Sequence, residues 1–237
     1  MSGWTKNKRF WKEATVSAQG HEYTVLLDGR GLKTPAKADL RVPTAKMAEV
    51  IASEWQAQGE EIQPLTMPTT RSANAAIDKV RIQHTEVADM IAEYGGSDLV
   101  CYRATEPEEL IRKQAERWDP MLSWAASELK APLVPVSGVI HKSQDATVLA
   151  SLAKRVHDLT DFELAAFHDL VSLSGSLVLG FAAVHSVHSV DEIWNLSRVD
   201  EKWQESLWGE DEEAQELAEI KRQAFLHADR FFRLSQL

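Results

Sequence analysis

The stretch "HSVHSVDE" puts His185, His188, Asp191 and Glu192 within eight residues, and these residue types could hold a metal. Imidazoles three residues apart share a helical face, and a nearby carboxylate could complete a hydrolytic zinc site. The helix boundary expected at Ser189 cuts through the segment, and the glutamate of an H-E-x-x-H pair is missing. No metal ligand is therefore assigned, and solvent-facing or hydrogen-bonded histidines are the expectation. Cys101 is the single cysteine, which excludes an internal disulfide and a cysteine-based zinc cage. None of the eight histidines lies in a recognisable protease context, so a buried structural thiol is expected rather than a nucleophile. No phosphate-binding G-x-x-x-x-G-K-[ST] loop and no G-x-S-x-G elbow occur, and "DGRGLKTP" lacks the third glycine and strand-to-helix context of a dinucleotide site. No catalytic or cofactor-binding residue is assigned, and the reading is of a non-enzyme.

What remains is charge and tryptophan. Within a net charge of −10, residues 1–46 hold nine bases against four acids, whereas residues 200–219 hold nine acids against Lys202 alone. The overall sign argues against nucleic acid, whose phosphates need a basic face. No apolar run reaches the roughly 18 to 20 residues of a membrane span. The longest, Leu177 to Val184, is interrupted by Gly180 and reads as a packed helix. Of eight tryptophans, Trp55, Trp118, Trp124, Trp194 and Trp203 fall in helical apolar patterns, which assigns them to the core. Trp4, Trp11 and Trp208 lie at element ends beside charges, where an aromatic can anchor a partner.

The elements that must position these groups divide the chain into an α+β arrangement: a small β-rich domain over 1–66 with one helix, then a larger all-helical domain over 67–237. "ATVSA" and "EYTVLL" carry strand residues, and Asp28-Gly29 signals a hairpin. Thr44 caps a helix whose Met47, Val50, Ile51 and Trp55 share a face, ending before Gly59. The two prolines of "IQPLTMP" mark a linker. Ile77, Val80, His84, Val87, Ile91 and Tyr94 form one helical stripe, and Thr105 with Glu108 fits a capping box for a helix running toward Leu129, kinked at Pro120. Helices over 161–173 and 176–187 flank Gly175. Ser189 and Glu192 open a helix with Ile193, Leu196, Val199, Trp203 and Leu207 on one face. After Gly209 a last helix turns Ala214, Leu217, Ala218, Phe225, Ala228, Phe231 and Phe232 inward. Its acidic first turn suits the helix dipole, so part of "WGEDEEA" is explained by capping.

"RFWK" (9–12), "LDGRGLKTPAK" (27–37), "EWQAQ" (54–58), "NAAID" (74–78), "CYRA" (101–104), "WDPMLSW" (118–124) and "DEKWQESLWGEDEEA" (200–214) occur in this order. In them the sequence resembles the assembly chaperones dedicated to the α subunit of the F-type ATP synthase. Residues 131–160 carry no part of the resemblance. It implies a two-part fold and an ATP-independent task, holding unassembled α subunit until β subunit replaces the chaperone. No cofactor follows from it. The chain begins directly at the family's domain without the presequence of mitochondrial relatives, which points to a bacterial cytoplasm, and a monomer is expected. Glu205, Trp208, Glu210, Asp211 and Glu213, supported by Trp203, are the implied partner-binding residues. Arg30 and Lys33, in what reads first as a structural hairpin, are candidates for secondary contacts. A generic helical adapter and a small metal-dependent hydrolase at His185 and His188 are the alternatives.

Overall fold

The computed structural model describes residues 8–138 and 142–236. In chain order it contains β1 (Ala14–Gln19), β2 (Glu22–Leu27), β3 (Arg30–Gly31), α1 (Ala45–Gln56), α2 (Pro68–Ala75), α3 (His84–Ala92), β4 (Tyr102–Arg103) and α4 (Glu108–Glu128). There follow β5 (Val136–Ser137), α5 (Ala146–His157), α6 (Asp161–Ser174), α7 (Leu177–Val184), α8 (Val190–Leu196), α9 (Val199–Trp208) and α10 (Glu212–Gln236). The chain is α+β, with the three-stranded sheet at its N-terminal end and helices dominating the rest. Backbone contacts group it into two units: one of 1–84, 160–165 and 230–237, the other of 85–159 and 166–229.

In the first unit β1 pairs antiparallel with β2, from Ala14↔Leu27 to Gln19↔Glu22, and β2 pairs with β3 across the expected Asp28-Gly29 turn. Both turn residues have positive φ, 48° and 80°, the conformation of a two-residue hairpin loop that follows the twist of its strands. Asp28 is held there because its carboxylate accepts the Lys12 and Glu13 amides, at 3.0 and 2.9 Å. Helix α1 covers the sheet with Met47, Ala48, Ile51 and Ala52. Thr44 caps it as expected, accepting the Met47 amide at 3.1 Å, while its hydroxyl donates to the Leu234 carbonyl at 2.6 Å. Glu54 caps α2 from a distance, its two carboxylate oxygens accepting the Thr69 and Thr70 amides at 2.7 and 2.8 Å. The "IQPLTMP" segment lies inside this unit as a turn of 3-10 helix, Pro64–Thr66, tied by Gln58 to Gln63 and Thr66.

The second unit is built around α7, whose residues Leu177 to Ala183 are all buried. Gly175 has φ +70° and lets the chain turn from α6 into it. Ser176 then caps α7 by accepting the Leu179 amide at 3.0 Å. The buried Asp98 carboxylate completes this start, accepting the Ser176 hydroxyl at 2.6 Å, the Val178 amide at 2.9 Å and the Val100 amide at 3.1 Å.

Three helical readings are corrected. The stripe from Ile77 to Tyr94 is not one helix: it passes through a π turn, Ala76–Val80, and a non-helical break at 81–83 before α3 begins. The Thr105–Glu108 capping box does not form, and Pro107 is the N-cap. A residue before proline is disfavoured in helical conformation, so the helix cannot begin at Glu106. Proline itself suits a helix start. The helix opened by Ser189 ends at Leu196, where the Ser197 hydroxyl donates to the Trp194 carbonyl at 2.7 Å and competes with the backbone ladder, and α9 starts anew.

Two predictions follow from the α7 environment. A Cβ on Gly180 would lie 2.6 Å from Val171 Cγ2 and 3.3 Å from the Phe167 ring. Because valine is stiff at χ1 on a helix, Gly180→Ala should lose about 1–3 kcal/mol to overpacking, more than the up to ~1 kcal/mol gained in helix propensity. Urea denaturation should show the loss, and Val171→Ala should recover most of it in the double variant. The second concerns Asp98, a weakened acid whose pKa burial pushes up to about 6 against the opposing pull of its hydrogen bonds. With the folded value above the unfolded one, its contribution is fully present below about pH 4 and is lost as pH rises through 6. The stability of the parent relative to Asp98→Asn should therefore fall by on the order of 3 kcal/mol between pH 4 and 7, measured by denaturation at each pH.

Candidate functional site

Helix α9 and the part of α10 up to Asp229 belong to the second unit; they are joined through Gly209, and each is anchored at a distance from that joint. Trp203 is buried with the Lys113 ammonium 5.2 Å from its ring centroid, and Gln114 donates to the Asp200 carboxylate at 2.7 Å. On α10 the Arg222 guanidinium pairs with Asp191 and, at 3.0 Å, with Glu219, and the buried Phe225 ring lies 5.6 Å from Trp194. Both carboxylates hold the Arg222 charge more firmly than usual, Asp191 most. Gly209 ends α9 with φ +87°, a conformation that side chains rarely adopt.

Between these anchors the tip is open. Leu207 is 54% exposed, Trp208 79%, Leu217 53% and Ile220 66%. The sequence pattern placed Leu207, Ala214 and Leu217 inward; Ala214 is exposed as well. Periodicity shows that such residues share a face of a helix, but not that another element covers that face. Ile220, three residues after Leu217, was missed for the same reason. Four large apolar side chains exposed on two consecutive helices make this stretch the candidate docking surface.

The acids around them divide into two groups. Asp200, Glu201 and Glu219 are held by Gln114, Arg198 and Arg222. Asp211 caps α10, accepting the Ala214 amide at 2.8 Å. The carboxylates of Glu205, Glu210 and Glu213 have no hydrogen-bond or ion-pair partner among the described residues, and Glu210 and Glu213 are exposed. "WGEDEEA" is thus partly a helix cap and partly a set of unengaged carboxylates around an exposed indole.

Arg30 and Lys33 lie in the first unit, on the wall of a groove of about 510 Å³ whose other walls include Lys8, Phe10, Trp55 and Ile62. Lys33 pairs with Asp39 at 2.9 Å and holds that carboxyl below its usual range. Trp11 is a correction to the sequence reading: it is buried, its ring 5.1 Å from Trp55 and 5.2 Å from Phe10, and offers no anchor. Trp4 lies outside the described residues. His188 sits 3.5 Å from Glu192, and among the described residues no three His, Cys, Asp or Glu side chains are grouped to hold a metal. Cys101 is buried, and burial pushes its thiol up to about 12, with the Asp98 charge adding and Arg103 opposing.

A family model described as "ATP12 chaperone protein" matches residues 8–126. The crystal structure of Atp12 from Paracoccus denitrificans is 47% identical, over 98% of this chain and 100% of that one, with a TM-score of 0.95. The chain belongs to the ATP12 chaperone family. The Atu1473 protein of Agrobacterium tumefaciens is 38% identical with a TM-score of 0.90, covering 97% of this chain and 86% of that one. "Protein atp12, mitochondrial" of Schizosaccharomyces pombe is 25% identical over 222 residues, 89% of this chain and 76% of the relative. The α9–α10 hairpin lies beyond residue 126, where the ATP12 family model stops, but inside the span shared with the Paracoccus structure.

The division of the acids predicts how they differ in stability. Asp211→Lys removes a cap and should cost about 0.5–2 kcal/mol, whereas Trp208→Ala and Glu213→Lys should each stay within about 1 kcal/mol of the parent. Thermal and urea melts of the three variants check this ordering.

Proposed function

We propose that this chain is an ATP-independent holding chaperone for the unassembled α subunit of the F-type ATP synthase, released when β subunit takes its place. Membership of the ATP12 chaperone family supports an assembly chaperone for this enzyme's F1 part. The observation that carries the finer reading is the α9–α10 tip, with Trp208, Leu207, Leu217 and Ile220 exposed among unengaged carboxylates. A subunit awaiting its neighbours exposes an interface that aggregates unless covered. A protein that binds the folded orphan lowers its free concentration by mass action, and no fuel is required. The absence of a phosphate loop in the sequence accords with that economy.

In this reading the apolar tip supplies affinity, while Glu205, Glu210 and Glu213 steer a basic patch of the client and reject other surfaces. Trp203 acts from below, fixing α9 through its buried ring and the Lys113 contact. Binding is one to one and the chaperone is a monomer. A bacterial cytoplasm is the compartment, in keeping with the single, buried thiol.

Mixed with isolated α subunit, the parent should suppress light scattering and co-elute with it, and added β subunit should dissolve the complex. Glu210→Lys or Glu213→Lys should weaken the complex several-fold to a hundredfold, about 1–3 kcal/mol, with a larger effect at low salt. Trp208→Ala should weaken it at any ionic strength. Aggregation of α subunit that is equal with and without the parent protein overturns the proposal, and three variants that bind like the parent move the site elsewhere.

A further inference from the structure

The groove in the first unit reverses the chemistry of the hairpin tip. Its walls include the aromatic Phe10, 66% exposed, with Trp55 and Ile62, and the cationic Lys8, Arg30 and Lys33. Asp39 engages Lys33, but among the described residues the Arg30 guanidinium has no carboxylate or hydrogen-bond partner. In a chain of net charge −10 this is a local concentration of positive charge beside apolar surface. The Trp55 ring is part of the lining, with its indole nitrogen buried away from solvent. At about 510 Å³ the groove has the capacity of a side-chain pocket, well within the roughly 300–1,000 Å³ of small-ligand sites.

We infer that this groove is a second client-docking site, which takes an extended acidic segment bearing one large aromatic or aliphatic anchor. The anchor enters against Phe10 and Ile62, and flanking carboxylates meet Arg30 and Lys8. Lys33, already neutralised by Asp39, contributes less. The inference rests on the client-holding function proposed above and adds selectivity to it: a client must present a basic patch to the hairpin tip and an acidic apolar segment to the groove. Few wrong partners carry both features, which is how charge gives specificity rather than affinity.

The test uses the full chain and a fluorescein-labelled octapeptide, GDDLFEEG, followed by anisotropy, with GKKLFKKG and GDDSSEEG as controls. The acidic apolar peptide should bind saturably with a dissociation constant of about 10–500 μM, weakening at least about threefold between 50 and 500 mM salt. The basic and the serine peptides should bind at least about tenfold more weakly. Arg30→Glu should reduce binding about tenfold or more and Phe10→Ser about fivefold, each with the melting curve of the parent, since both side chains are solvent-exposed. Glu213→Lys should leave peptide binding within twofold. Equal binding of acidic and basic peptides, no saturation by 1 mM, or groove variants that bind like the parent would overturn the inference. The two readings fail separately. Loss of α-subunit holding in the hairpin variants without any peptide binding sinks the groove alone, whereas peptide binding that persists when no α subunit is held sinks the proposed client and leaves the groove standing.

Discussion

Burying α7 on every side is the constraint from which the second unit follows. A helix that is apolar all round must be enclosed, and Leu177 to Ala183 leave no face for water. Its first amides then sit where no solvent can satisfy them, and an unsatisfied buried donor costs as much as several favourable contacts gain. Ser176 and Asp98 answer that need, and the Asp98 carboxylate also accepts the Val100 amide, so one side chain fixes the helix start and the preceding turn together. The close approach of Gly180 to Val171 and Phe167 belongs to the same demand for enclosure. Helices α4 and α8 pack on α7, and α9 packs on α4. Helix α9 is therefore held by the same core.

That anchoring explains how a protein can display apolar side chains at a defined place. Trp203, Arg222 and Phe225 use burial, an ion pair and an aromatic contact to fix two helices, and the turn at Gly209 joins them above the anchor. Ordering the tip in advance removes part of the entropic cost of binding. The carboxylates around Leu207, Trp208, Leu217 and Ile220 have a second consequence within the proposed function. Like charges at the tip oppose the stacking of two chaperones through their own apolar surfaces, so the site can be exposed without becoming an aggregation site.

The first unit solves a different problem with different means. Its sheet has only three strands, too few to be stable without a covering layer, and α1 supplies that layer. Polar side chains then join segments that are far apart in sequence: Glu54 caps α2, Thr34 donates to Asp78 at 2.6 Å, and Thr44 donates to Leu234 at 2.6 Å. The Arg81–Asp161 pair at 3.0 Å is of the same kind. These links are what draw residues 160–165 and 230–237 into a unit otherwise made from the first 84 residues.

Local chemistry was legible in the sequence wherever the deciding contact lies within a few residues. The Asp28-Gly29 hairpin, the Thr44 and Ser189 caps and the turn at Gly175 each depend on a side chain or a backbone conformation inside one turn of chain. The acidic aromatic character of 208–214 was equally plain, as was its overlap with a helix start. Tertiary structure alone decided which apolar residues find a partner. Leu207 and Leu217 carry the same periodic signal as Phe225 and Ala228, yet only the second pair meets a covering surface. It also decided that Asp211 is engaged while Glu210 and Glu213 are not, and that Arg30, Phe10 and Ile62, distant in sequence, share one groove. Periodicity records which way a side chain faces along its own helix, whereas burial depends on what the rest of the chain brings to that face.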